Sequence, residues 1–217
     1  MTDAGYGDSA AAAGGASSGP GHIDTLIYIR HGQTDWNVEG RLQGQRDIPL
    51  NAEGRRQARR NGHVLAEWLD REGLTAGDFD WVASPLARAT ETIEIVRASL
   101  GLDPQAYRRD PELKEIRFGA WEGATLEEIA RQDPARHQAR LMDKWRFAPP
   151  GGESYAMLAE RIGAWLEGLR GKTVCVAHGA VHRVVRRRLE GFGTDLAPAL
   201  DVPQDRIYLW RGCPAWI

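Results

Sequence analysis

Arg30-His31-Gly32 and His178-Gly179 are the two places where this chain follows a histidine with a glycine. Arg88 is a third feature of the same kind, a basic residue close behind Ser84-Pro85. An arginine presents a planar fork of donors that matches phosphate oxygens. A neutral imidazole attacks phosphorus and holds the phosphoryl group covalently. Two histidines and two arginines therefore suggest chemistry on a phosphate. The attacking ring must keep a lone pair free, and neighbouring arginines favour that state because they repel an imidazolium. A backbone carbonyl near Gly32 is the natural acceptor for the other ring nitrogen.

These residues sit where strands are expected to end. Leu26 to Ile29, Asp80 to Ala83, Thr173 to Ala177 and Arg206 to Trp210 are short runs rich in strand formers. Such runs without alternation suit a sheet covered on both faces. Helical patterns lie between them. Asn51 is placed to cap a helix with an apolar stripe of Ala58, Gly62, Leu65 and Leu69. Ser84-Pro85 reads as a cap followed by proline at the first helical position, which puts Arg88 in the first turn. A helix dipole disfavours a cation there, and a bound anion would compensate. Leu158, Ile162, Trp165, Leu166 and Leu169 form another stripe, and Ala180 to Leu189 a shorter helix.

Alternating strands and helices predict an α/β fold, a three-layer α/β/α domain with a mostly parallel central sheet. In such a sheet, ligands bind outside the carboxyl ends of the strands. His31, His178 and Arg88 can then face one pocket despite their separation in sequence. The glycines after the histidines are expected to let the backbone approach a ligand. The helix behind His178 is expected to aim free N–H groups at an anion. Residues 119–155 fit the alternation poorly and are expected to form a small helical cap insertion.

Composition narrows the function classes. The 217 residues carry 28 Lys+Arg against 30 Asp+Glu. A general polyanion binder is usually more basic, so nucleic acid is not an expected partner. Two cysteines make neither a disulfide framework nor a four-thiolate zinc site. His178 and His182 are four apart but lack the rest of a zinc pattern, so no metal and no cofactor is expected. No run of 18 apolar residues exists, so no membrane span is expected. Residues 1–21 are rich in Gly, Ala and Ser, with Asp3 and Asp8 their only charges. They are expected to be a flexible tail on a catalytic domain of residues 22–217, in a cytoplasmic protein. Arg183, Arg186, Arg187 and Arg188 read as a solvated basic face, and oligomeric state is left open.

Five ordered blocks carry a resemblance: LIYIRHGQTDWN at 26–37, VASPLARATET at 82–92, LKEIRFGAWEG at 113–123, PGGES at 150–154 and VCVAHG at 174–179. In this order they resemble the histidine phosphatase, or phosphoglycerate mutase-like, superfamily. The resemblance implies that His31 is the nucleophile that becomes phosphohistidine, and that Arg30 and Arg88 clamp the phosphate. It implies that His178 binds the phosphoryl group and that Glu115, in Leu-x-Glu, is the proton donor. Asn37, Gln43, Gly44, Gly179 and Ala180 fall where family loops line the phosphate pocket. Ala180 stands where a second glycine is frequent. The implied activity is hydrolysis of small phosphate monoesters. Mutase members usually carry Glu after the Arg-His-Gly, whereas this chain has Gln33, and their insertions run larger. Mutase-type phosphoryl transfer and simple binding of a phosphorylated ligand remain as alternatives.

Overall fold

The computed structural model describes residues 23–217, so the expected tail at 1–21 lies outside the described residues. The described residues begin with β1 (Ile23–Arg30), a short helix α1 (Asp35–Val38) and the long helix α2 (Ala52–Glu72). Asn51 caps α2 by accepting from Gly54 N, and Gly73 ends it in the left-handed conformation. Next come β2 (Asp80–Ala83), α3 (Ala87–Ser99) and the two-residue β3 (Arg108–Arg109). Helices α4 (Leu126–Gln132) and α5 (Pro134–Met142) make up the insertion. Then follow α6 (Tyr155–Gly168), β4 (Gly171–Ala177), α7 (Gly179–Glu190), β5 (Tyr208–Trp210) and β6 (Pro214–Trp216).

The six strands form one sheet in the order β3-β2-β4-β1-β5-β6. Strands β1 to β4 pair parallel, whereas β5 and β6 pair antiparallel. Alternate residues of the buried strands feed two cores. Leu26, Tyr28, Cys175 and Ala177 pack with Leu158, Ile162 and Leu166 of α6 and Val181 and Val184 of α7. Ile27, Ile29, Val174 and Val176 pack with Leu65 and Leu69 of α2 and Ala89, Ile93 and Val96 of α3. The sheet is thus sandwiched between helix layers, as the unbroken apolar runs imply. Among the described residues no helix is long and apolar enough to cross a membrane.

Register creates the site. Arg30 pairs with Ala177, and Ala83 with Val176, so the carboxyl ends of β1, β4 and β2 finish side by side. His31 N then donates to Ala177 O at 2.9 Å, and Ser84 N to Val176 O at 3.0 Å. The ladder therefore runs one residue past each strand and fixes the backbone on which the first site residues hang.

Candidate active site

His31 is 2% exposed at the end of β1. Its Nδ1 lies 2.8 Å from Gly32 O. A carbonyl only accepts, so Nδ1 carries the proton and Nε2 is left with its lone pair. Burial pushes this imidazole well below the usual histidine range, and Arg88 and then Arg30 push it further. The ring is neutral near pH 7. His31 O accepts from Gln204 Nε2 at 2.9 Å, and that amide also reaches Asn37 Oδ1 at 3.2 Å.

The His178 ring centroid lies 5.2 Å from that of His31, tilted by 57°. His178 is fully buried and forms the N-cap position of α7; Gly179 and Ala180, which follow it, line the cavity in front of His31, whereas His178 itself does not. Tyr28 Oη donates to its carbonyl at 2.8 Å. Its Nε2 lies 2.7 Å from Ser84 Oγ. Ser84 Oγ also accepts from Leu86 N at 3.4 Å, and the direction of its bond to His178 Nε2 follows the tautomer of that ring. The ring's Nδ1 has no partner. Burial, then Arg88, His31 and Arg30, hold this ring neutral as well.

Ser84 departs from its expected role. It does not cap α3, which starts at Ala87 behind Leu86 with no side-chain cap. The hydrogen bond from Ser84 N to Val176 O keeps residue 84 in the sheet, and its hydroxyl is spent on His178. Arg88 still falls in the first turn. It is 0% exposed, the largest fully buried side chain among the described residues. Its Nη1 donates to Arg46 O and its Nη2 to Gly44 O, both at 2.8 Å. Burial pushes the guanidinium down to about 10, so it stays charged at neutral pH. Arg30 donates to Val202 O at 2.6 Å.

Glu115 accepts from Ile116 N at 2.9 Å and from Ala180 N at 3.2 Å. The first amides of α7 are thus not all free for an anion, because this carboxylate already occupies one. Gly32 also differs from expectation. A Cβ there would meet Gly54 O at 2.3 Å, and a Cβ on Gly54 would meet Gln33 O at 2.2 Å. Gly32 is small so that α2 can butt against the loop after β1, not for a ligand. Gly44 has φ +53°, and a Cβ would run into Glu122, whose Oε1 holds Gln45 N and Phe118 N.

Arg30, His31, Asn37, Gln43, Gly44, Arg88, Glu115, Gly179 and Ala180 line a single cavity of about 160 Å³. The sequence reading missed Arg41, Phe118, Tyr155 and Arg183 on its walls. Arg183 had a legible signal, one turn beyond Gly179 and Ala180 on the same helix face. Gln204 had none, since it arrives from a loop far along the chain. His182, four residues after His178, is buried and its ring stacks on that of Tyr28 with centroids 4.3 Å apart. Arg30 Nε and Arg88 Nε are buried donors without protein partners, and His178 Nδ1 is a buried ring nitrogen without one. Orphan donors of this kind are costly unless something accepts from them, and a tetrahedral oxyanion beside His31 has the oxygens to do so.

The family described as Histidine phosphatase superfamily (branch 1) matches residues 26–210. A bifunctional protein of Mycobacterium tuberculosis is 38% identical over 137 residues, which are 63% of this chain and 35% of that protein. The chain thus spans only about a third of that relative's length. An uncharacterized phosphatase of Bacillus subtilis, PhoE, is 34% identical over 182 residues, covering 80% of this chain and 81% of its own. Among solved structures, a mycobacterial glucosyl-3-phosphoglycerate phosphatase in complex with VO3 superposes with a TM-score of 0.69 at 31% identity. The match covers 86% of this chain and 92% of that one.

Proposed function

The chain belongs to the histidine phosphatase superfamily, and from that premise we propose that it hydrolyses small phosphate monoesters through a phosphohistidine on His31. The observation that carries the proposal is the committed tautomer of His31 among buried, unpartnered donors. Its Nε2 lone pair attacks phosphorus while the ester oxygen leaves. Arg30, Arg88 and His178 hold the non-bridging oxygens as charge redistributes among them. The imidazole becomes cationic only as the N–P bond forms, and the proton on Nδ1 then strengthens its bond to Gly32 O.

Glu115 must carry a proton when the leaving oxygen departs, and we assign it that transfer. Glu115 then takes a proton from the water that attacks phosphohistidine, so one group serves both steps in opposite directions. Hydrolysis rather than phosphoryl return is supported by Gln33 after Gly32, and by the phosphatase names of two of the similar proteins.

The test is phosphate release from an aryl phosphate, together with trapping of an acid-labile phosphoenzyme from a labelled substrate. His31→Ala is expected to abolish the phosphoenzyme and lower kcat by at least about a thousandfold. A labelled intermediate persisting in that variant overturns the mechanism. Interconversion of 2- and 3-phosphoglycerate faster than their hydrolysis would favour a mutase instead. Neither turnover nor phosphoenzyme in the unaltered protein would favour a binding role.

A further inference from the structure

A second cavity of about 230 Å³ adjoins the first and shares with it the walls made by Leu42, Phe118, Tyr155 and Arg183. Three cations converge on it from separate elements. Arg140 comes from the last turn of α5, Lys144 from the segment just after it, and Arg183 from α7. Among the described residues none of the three forms an ion pair with a carboxylate. Lys144 Nζ donates to Pro198 O at 2.7 Å, and Arg183 Nε to Leu200 O at 2.8 Å, so backbone carbonyls set their directions without neutralising them. The acid on this wall, Glu153, is committed elsewhere, to Arg117 N at 2.9 Å and the Arg161 guanidinium at 3.3 Å.

Gathering like charges is unfavourable, and this cluster pays part of that cost in Lys144. Burial pushes its ammonium down to about 8, and Arg140 and Arg183 contribute to the shift. About half of the arginines among the described residues form ion pairs, as Arg56 does with Glu53 and Arg136 with Asp133. What sets this trio apart is that three unpaired cations converge on one small cavity next to the proposed phosphate site, and such a cluster attracts an anion.

Resting on the phosphatase reading above, we propose that the substrate is a small phosphate ester with a second anionic group, a carboxylate or another phosphate, seated against Arg140, Lys144 and Arg183. The phosphoryl group to be removed lies at His31. The carbon skeleton passes Phe118 and Tyr155, and the second anion ends among the three cations. Arg183, on the wall common to both cavities, marks the passage between them. The skeleton must be short, because the two cavities adjoin and are small.

The experiment compares kcat/KM for matched esters with and without the second anion. One arm sets 3-phosphoglycerate against glycerol 3-phosphate, and the other fructose 1,6-bisphosphate against fructose 6-phosphate. A preference of at least about tenfold in either arm is expected, and the arm that shows it identifies the second group. In Arg140→Gln and in Lys144→Gln, made separately, that ratio is expected to fall toward one. Each ratio is internal to one protein, so differences in folded yield cancel. An unaltered protein that turns over an aryl phosphate but prefers neither charged ester overturns the inference alone. So does a preference that survives both substitutions. Absence of any turnover and of phosphoenzyme sinks the phosphatase reading, and this inference with it.

Discussion

Gln204 shows how a residue outside the chemistry sets its geometry. One amide nitrogen bridges His31 O and Asn37 Oδ1, so the loop before β5 holds the backbone of the proposed nucleophile. Gln204→Leu is nearly isosteric and removes both bonds. Displacement of a reacting group by a fraction of an ångström lowers the rate of the bonded step. Steady-state kinetics of this variant are expected to show kcat down by roughly tenfold or more, with KM changed far less. An unchanged kcat would mean that Gln204 only packs the loop. The residues proposed to hold phosphate were legible because their types announce chemistry and each lies at or shortly after a strand end. Gln204 was not, because a glutamine in a loop carries no periodic or compositional signal. Ser84 was read through the local logic of helix caps, and a tertiary demand, the His178 ring, took its hydroxyl instead.

Elements meet here with little clearance. The N-terminus of α2 presses its Gly54 against Gln33 and Gly32, and backbone on both sides leaves nothing flexible to yield. Gly54→Ala adds one methyl where the nearest atom would stand 2.2 Å away. Overpacking of this kind is expected to destabilise by about 1–3 kcal/mol, measured as a lower denaturant midpoint with an unchanged slope. Loss of phosphate release should exceed what the stability loss alone explains, since Gly32 carries the carbonyl that orients His31. The helix positions were readable from apolar spacing, as Asn51 capping α2 illustrates. The strand content was readable only in part. The buried runs announced β1, β2 and β4, whereas the direction of β5 depends on a long loop. Strand β3 has two exposed residues, and β6 is a short edge piece, so neither offers an apolar pattern to read.

At the scale of the whole molecule, His31, His178 and His182 are buried and held well below the ordinary histidine range, by burial first in every case. Unfolding exposes them, and each then titrates near 6.5. Below that pH the unfolded chain binds more protons than the folded one, so acid favours unfolding. Stability should be flat above about pH 7 and fall as pH drops through 6.5, by up to about 1.4 kcal/mol per pH unit for each ring. Chemical denaturation at a series of pH values checks this, and a constant stability from pH 7.5 down to 5 would contradict it. The near balance of charge, 28 against 30, hid the local field at the site. The pairing of β1 with β4 has a last consequence. Residues 31 and 178 are far apart in sequence, and the pairing of β1 with β4 is what brings their rings side by side. Recovery of activity on refolding should therefore keep pace with burial of the central strands.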